Sequence, residues 1–345
     1  AYTSMLKGYA SEGMLDNALA LLDRMSAMGV RPNAIHAAPV VRAMAAHDRG
    51  RALAFMESLA GMGVATNAAL WNNFLSGAYE RDGMALMEAL QQIARMGATG
   101  AKPNTDTFNI LMSGCCRMDE PWGAKALFDR MKAEGVPPDA LSYTTLMGAL
   151  VQAGKLEQAI EAFQSLEADP RVEPDMAALN MLAYAYSRLD CMEDAIGVLD
   201  RIDSLAALEE RAPSARGYGA VVAAFAQKNL PEGVFQIMQR FRSVGGVPDE
   251  LMYNSVVRMC VRNRDWKRAL RIAKVMELRG YSPDREVLTR MIQAVDQQLE
   301  EIELVPGQAT QVKNRRFNEG LERFKFWLGL PNSYYNASWD WDDEE

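Results

Sequence analysis

Apolar residues along this chain recur with the spacing of helices that bury one face. Phe108, Leu111, Met112 and Cys115 stand at i, i+3, i+4 and i+7, the stripe of a half-buried helix. After a short polar turn, Ala124, Leu127, Phe128 and Met131 repeat the pattern. Gly135 supplies a stop, and Pro137-Pro138 forbids continuation of the second helix. A two-helix unit of this kind cannot bury its apolar face alone, so it must stack on copies of itself. The predicted fold class is all-α, a right-handed α-solenoid of tandem helix-turn-helix repeats of about 35 residues.

Laying the chain over itself extends the ladder. TDTFNILMSGCCRMDEPWGAKALFDRMKAEGVPPD is followed by ALSYTTLMGALVQAGKLEQAIEAFQSLEADPRVEPD, and ELMYNSVVRMCVRNRDWKRALRIAKVMELRGYSPD repeats the scheme further on. Eight units are predicted, at 1–33, 34–67, 68–104, 105–139, 140–175, 176–214, 215–249 and 250–284. Gly29, Gly97, Gly245 and Gly280 fall at or near the place of Gly135, and Pro32, Pro103, Pro174, Pro248 and Pro283 each precede a unit's last residue. The first unit lacks its first two residues, which implies sequence upstream of Ala1. Pro39 predicts a short or kinked first helix in the second unit. The third unit is longer by two residues; the sixth is longer by four and lacks the Gly…Pro ending. Residues 285–304 read as a capping helix or half repeat, and 305–345 as an aromatic and acidic extension.

Composition narrows the function classes. At 49% hydrophobic and 24% charged, the chain is globular in character. No apolar run is long enough for a membrane span. The four cysteines, Cys115, Cys116, Cys191 and Cys260, form no C-x-x-C pair and fit a reducing compartment. With only His36 and His47, zinc binding and histidine catalysis are not expected. No phosphate-binding loop, dinucleotide fingerprint or nucleophile elbow is present. The expectation is a non-enzyme without metal or cofactor. Net charge of −8 runs against nucleic-acid binding. Residues 258–290 are nevertheless locally basic, with Lys267, Arg271 and Lys274 along one helix stripe.

The tetratricopeptide pattern W-x2-L-G-x2-Y is absent. What recurs is Tyr or Phe, then Asn or Thr, then apolar residues and finally G-x-x-P-[DN]. That pattern resembles the pentatricopeptide repeat, in its plain P-type form, from about Ala1 to Leu304. The resemblance implies a reader of single-stranded RNA at one base per repeat. In that family the fifth and last residues of a unit address a base together, and an apolar second residue sandwiches it. Carried over, Thr3 with Asn33 implies adenine and Asn72 with Asn104 cytosine. Asn109 with Asp139 implies uracil, Thr144 with Asp175 guanine, Asn180 with Ser214 a pyrimidine, and Asn254 with Asp284 uracil. Ala38 and Gly219 leave the second and seventh units unreadable, so the implied target is A-x-C-U-G-Y-x-U, where Y is a pyrimidine. Leu141 and Leu251 fit the second position, whereas Asp106 and Arg216 depart from it. Asn, Asp and Ser at these places are also ordinary cap and turn residues.

Arg117, Arg188 and Arg262 share one register near the end of a first helix. They are candidates for phosphate contacts, the alternative being a solvated helix face. Trp327, Tyr334, Tyr335 and Trp339 in the extension are candidates for partner docking. The family points to a soluble plastid (chloroplast) or mitochondrial protein acting in RNA stabilisation, processing or translation. One alternative, favoured by the acidic balance, is a scaffold subunit of a large organellar ribonucleoprotein, with proteins or rRNA as partners. Another is an RNA-processing enzyme whose catalytic domain lies outside this sequence.

Overall fold

The computed structural model describes residues 2–282 apart from 62, 63 and 81, together with Asp284 and Thr289. The segments 285–304 and 305–345, with Trp327, Tyr334, Tyr335 and Trp339, therefore lie outside the described residues. Among the described residues there are sixteen α-helices and no strand. They alternate as first and second helices of hairpins: α1 (Tyr2–Ser11) and α2 (Leu15–Ala27), α3 (Ala34–His47) and α4 (Arg49–Gly61), α5 (Ala68–Tyr79) and α6 (Leu86–Ala98), α7 (Thr105–Arg117) and α8 (Pro121–Ala133). There follow α9 (Ala140–Gln152) and α10 (Leu156–Glu167), α11 (Met176–Arg188) and α12 (Met192–Leu208), α13 (Ala215–Gln227) and α14 (Pro231–Ser243), and α15 (Glu250–Arg262) and α16 (Trp266–Leu278). The protein is all-α, an α-solenoid in architecture.

The helices gather into two compact units, Ala1–Ala185 and Tyr186–Glu345. Within the first, first helices pack on first helices: α1 on α3, α3 on α5, α5 on α7, and α7 on α9. Second helices back them, α8 lying against both α7 and α9. In the second unit α13 packs on α15, with α14 and α16 behind them.

The aromatic at the fourth place of a unit sets the core. Trp71, Phe108, Tyr143, Tyr218 and Tyr253 are all buried there. Phe128 of α8 meets Tyr143 of α9 edge to face at 5.1 Å between centroids, which ties one hairpin to the next. Cys115 and Cys260 are buried small apolar groups, and burial pushes their thiols up to about 12 and about 11.

Turns explain how dissimilar sequences give one shape. Between the two helices of a hairpin, Gly13, Asp119, Gly154, Asp190, Asn229 and Arg264 all take φ between 57° and 71°. Glycine adopts this left-handed backbone freely, and Asp and Asn tolerate it.

Two expectations are corrected. In the third unit the left-handed stop is Gly100, and Gly97 lies within α6. Pro39 does not shorten α3, which runs fourteen residues without a break. Packing holds it: a Cβ on Gly77 of α5 would lie 2.1 Å from the Arg42 carbonyl oxygen, so the two helices meet backbone to side. The four extra residues of the sixth unit lengthen α12 to seventeen residues, and Glu210, at φ 50°, serves where glycine is missing.

Candidate nucleic-acid interface

The last residue of a unit is also the N-cap of the next first helix, and this dual position builds the site. Asn104 accepts from the Thr107 amide at 3.0 Å and Asp139 from the Ser142 amide at 2.8 Å. Asp175 and Asp249 cap α11 and α15 in the same way, at 2.7 and 2.9 Å. Each cap satisfies an amide the helix leaves orphaned. It also fixes which way the cap oxygen faces.

The fifth residue of the preceding unit meets that oxygen. Asn72 Nδ2 donates to Asn104 Oδ1 at 3.1 Å, and Asn109 Nδ2 donates to Asp139 Oδ1 at 3.1 Å. Asn254 is held differently: its Oδ1 accepts from the Asp284 main-chain amide at 2.9 Å, and Arg258 pairs with the Asp284 carboxylate. Asn72, Asn109 and Asn254 are buried, while Asn104 and Asp139 are exposed. Three rungs are thus assembled as neighbours.

Thr144 with Asp175 and Thr3 with Asn33 look different. Thr144 turns its hydroxyl to its own helix, donating to the Ala140 carbonyl at 2.9 Å, and Asp175 caps α11. Thr3 is half-buried on α1, and Asn33 spends its oxygen on the Ile35 and His36 amides. Asn180 on α11 and Ser214 before α13 are half-buried.

Asn72 and Asn109 border an open concavity of about 500 Å³ on the first helices, together with Arg42, Asp106, Arg117 and Leu141. Within it Leu141 is 57% exposed; outside it Ile35 and Leu251, at the same place in their own units, are 67% and 75% exposed. Flat apolar side chains beside polar pairs offer a stacking surface for a ring. The acids are restrained. Arg42 bonds Glu80 at 2.8 Å and holds its carboxyl below the usual range. For Asp139 burial pushes upward, but the Ser142 amide, the Asn109 amide group and the Ser142 hydroxyl outweigh it and hold the carboxyl low.

Two of the three candidate phosphate-binding arginines have a local task. Arg117 donates to the carbonyl of Tyr79, the last residue of α5, at 3.2 Å. Arg262 donates to the carbonyl of Gln227, the last residue of α13, at 3.1 Å. Each clips the orphaned end of the preceding first helix. All three arginines, Arg188 included, are exposed.

Sequence reading missed Thr107 and Ser142, the third residues of their units, which close the rungs (below). The available signal was their spacing: Asn104 with Thr107 and Asp139 with Ser142 stand at cap and N3.

Stacked helical hairpins with a polar pair on first helices define a helical-repeat protein. Comparison with known sequences is consistent with this. The PPR repeat description matches residues 1–30, 99–132 and 251–281, and the pentatricopeptide repeat domain description matches 126–188. Over these segments, less than half of the chain, the sequence matches the pentatricopeptide repeat. It is 29% identical to the Arabidopsis thaliana pentatricopeptide repeat-containing protein At3g09650, chloroplastic, over 98% of this chain and 46% of that protein. It is 23% identical to At2g03380, mitochondrial, over 82% of this chain and 39% of the relative. Among solved structures, maize PPR10 is 23% identical, with a TM-score of 0.49 covering 95% of this chain and 52% of that one. The chain spans about half or less of the length of these relatives.

Proposed function

We propose that this chain binds single-stranded RNA along its first helices, one nucleotide per hairpin, in a plastid or mitochondrion. The observation that carries the reading is the rung of Asn109 and Asp139 at the edge of the concavity. With Asn109 Nδ2 directed at Asp139 Oδ1, its second N–H and the other carboxylate oxygen supply one donor and one acceptor. A uracil edge, which carries acceptor oxygens flanking an N–H donor, complements that pair. At Asn72 and Asn104 amide N–H donors remain, although Asn104 Nδ2 also donates to Asp106 Oδ2 at 3.5 Å, and such donors suit the N3 and O2 acceptors of cytosine. Leu141 and Leu251 supply faces for bases, and Arg117, Arg188 and Arg262 supply cations for phosphates. The compartment is supported by the chloroplastic and mitochondrial labels of the relatives. Held extended, a bound transcript is shielded from nucleases and from its own pairing. The role is read as one of contact rather than chemistry, the concavity being lined by amides, arginines, hydroxyls, apolar side chains and the acids Glu80 and Asp106.

The test is anisotropy of the purified chain with A-x-C-U-G-Y-x-U and with a scrambled oligomer of equal composition. Preference for the first, relaxed at the last position by Asn254→Ala, is the expected result. A second reading, a scaffold subunit of an organellar ribonucleoprotein, is favoured by the net charge of −8 and by Glu80 and Asp106 in the concavity. Equal, salt-sensitive binding to both oligomers is the outcome that selects it.

A further inference from the structure

The hydroxyls of Thr107 and Ser142 occupy an unusual place. Thr107 Oγ1 lies 2.7 Å from Asn72 Oδ1 and 2.8 Å from Asn104 Oδ1, and it accepts the Asn104 main-chain N–H at 3.1 Å. Ser142 Oγ repeats this geometry one unit on: 2.7 Å from Asn109 Oδ1, 2.8 Å from Asp139 Oδ1, and 3.2 Å from the Asp139 amide. A hydroxyl has one proton to give. Asn104 Oδ1 already receives the Thr107 amide and Asn72 Nδ2, and Asp139 Oδ1 receives the Ser142 amide and Asn109 Nδ2. The oxygens that need the proton are Asn72 Oδ1 and Asn109 Oδ1, buried ends of buried amides.

We infer that Thr107 and Ser142 are positioning residues that set base specificity from the next unit downstream, by locking Asn72 and Asn109 with the carbonyl inward and the N–H outward. The logic does not depend on how an amide's O and N are told apart. The cap oxygen is fixed by a main-chain donor, and in Asp139 it is a carboxylate that can only accept, so only the N–H side of the asparagine can face it. The hydroxyl then satisfies the opposite end. A rotated amide would set its oxygen against the cap oxygen and lose that bond, keeping only a contact in which its N–H meets the hydroxyl oxygen. The chain contains its own contrast. Downstream of Thr144 the equivalent residue is Ala178; a threonine hydroxyl has no amide orientation to lock, and it bonds its own helix instead.

The inference rests on the base-reading proposal, so its test has one arm without RNA. In Thr107→Val the cap bond from the main-chain amide remains while the hydroxyl is lost; Thr107→Ser restores it. By side-chain amide NMR, Asn72 NH2 in the wild type and in Thr107→Ser is expected to be ordered, and in Thr107→Val to gain solvent exchange and mobility. With RNA, Thr107→Val should lower discrimination at the nucleotide facing the third unit by about five- to tenfold, leave that facing the eighth unit unchanged, and recover with Thr107→Ser. Ser142→Ala should act likewise at the fourth unit. An Asn72 amide unchanged in Thr107→Val, or base discrimination unchanged in a wild type that does discriminate, overturns the lock while leaving base reading intact. A wild type with no discrimination but the expected NMR change overturns the specificity claim together with base reading, and leaves only the structural bond.

Discussion

The rungs on α5 and α7 and the rung on α15 reach the same presentation by different means. At Asn72 and Asn109 the inward carbonyl is held by a side-chain hydroxyl of the following unit. At Asn254 it is held by a main-chain amide, that of Asp284. Side-chain locks bring an extra residue into specificity and can be lost by a single substitution. A main-chain lock has no side chain to remove. On the proposed reading, the surface is therefore more evolvable on α5 and α7 than on α15, although the first-helix residue is asparagine in all three.

Four expected outcomes bear on that difference. The largest is Ser142→Ala, which leaves Asn109 Oδ1, in a residue 4% exposed, without its donor. The expected loss is about 1–3 kcal/mol, read by urea unfolding. Combining Asn109→Ala with Ser142→Ala removes both partners of that bond, and the double variant should recover part of the loss. Additive losses would show that the two groups do not interact.

Next come the caps. Asp139→Ala removes the α9 cap and its bond to Asn109 and should cost about 1–2 kcal/mol. Asp249→Ala removes a cap bond to Met252 and should cost about 1 kcal/mol. Equal losses in thermal unfolding would mean that the rung adds nothing to the cap.

The third outcome concerns pH. The Asp139 carboxyl is held below its unfolded range, so its contribution is complete above the unfolded value of about 3.9 and drains away as pH falls through the lower folded value. Asp139→Asn, which cannot ionise, should flatten the acid limb of the stability curve measured between pH 5 and 2. A limb of unchanged slope would assign the acid sensitivity to other carboxylates.

The smallest effects belong to Arg117→Ala and Arg262→Ala. Each breaks one bond to a carbonyl, part-buried for Arg117 and exposed for Arg262, and should cost about 0.5–1 kcal/mol by the same unfolding assay. If these side chains also touch phosphates, the variants should lower affinity for every oligomer alike and reduce its salt dependence. A change of base preference would contradict both roles.

Much of this architecture was legible in advance, for identifiable reasons. The i, i+3, i+4, i+7 stripes and the Gly and Pro punctuation depend on local geometry, so Phe108, Leu111, Met112 and Cys115 fall together inside α7 as the pattern demands. Where punctuation was weak, reading went astray. Gly97 and Gly100 both look like stops, and only the path of the chain selects the second. Pro39 looks like a breaker, and packing of α3 on α5 overrides it. The shared register of Arg117 and Arg262 also carries a local task that the sequence did not show, since the carbonyls they bond lie 38 and 35 residues back.

Sequence alone determined the helices, their pairing into hairpins and the identity of the polar residues on each first helix, because those follow from periodicity, capping and turn chemistry within a few neighbouring residues. Tertiary structure alone decided which end of each asparagine faces out. That choice depends on hydrogen-bond donors brought from the next hairpin, thirty or more positions away, and a hydroxyl with a single proton can settle it only after the units have stacked.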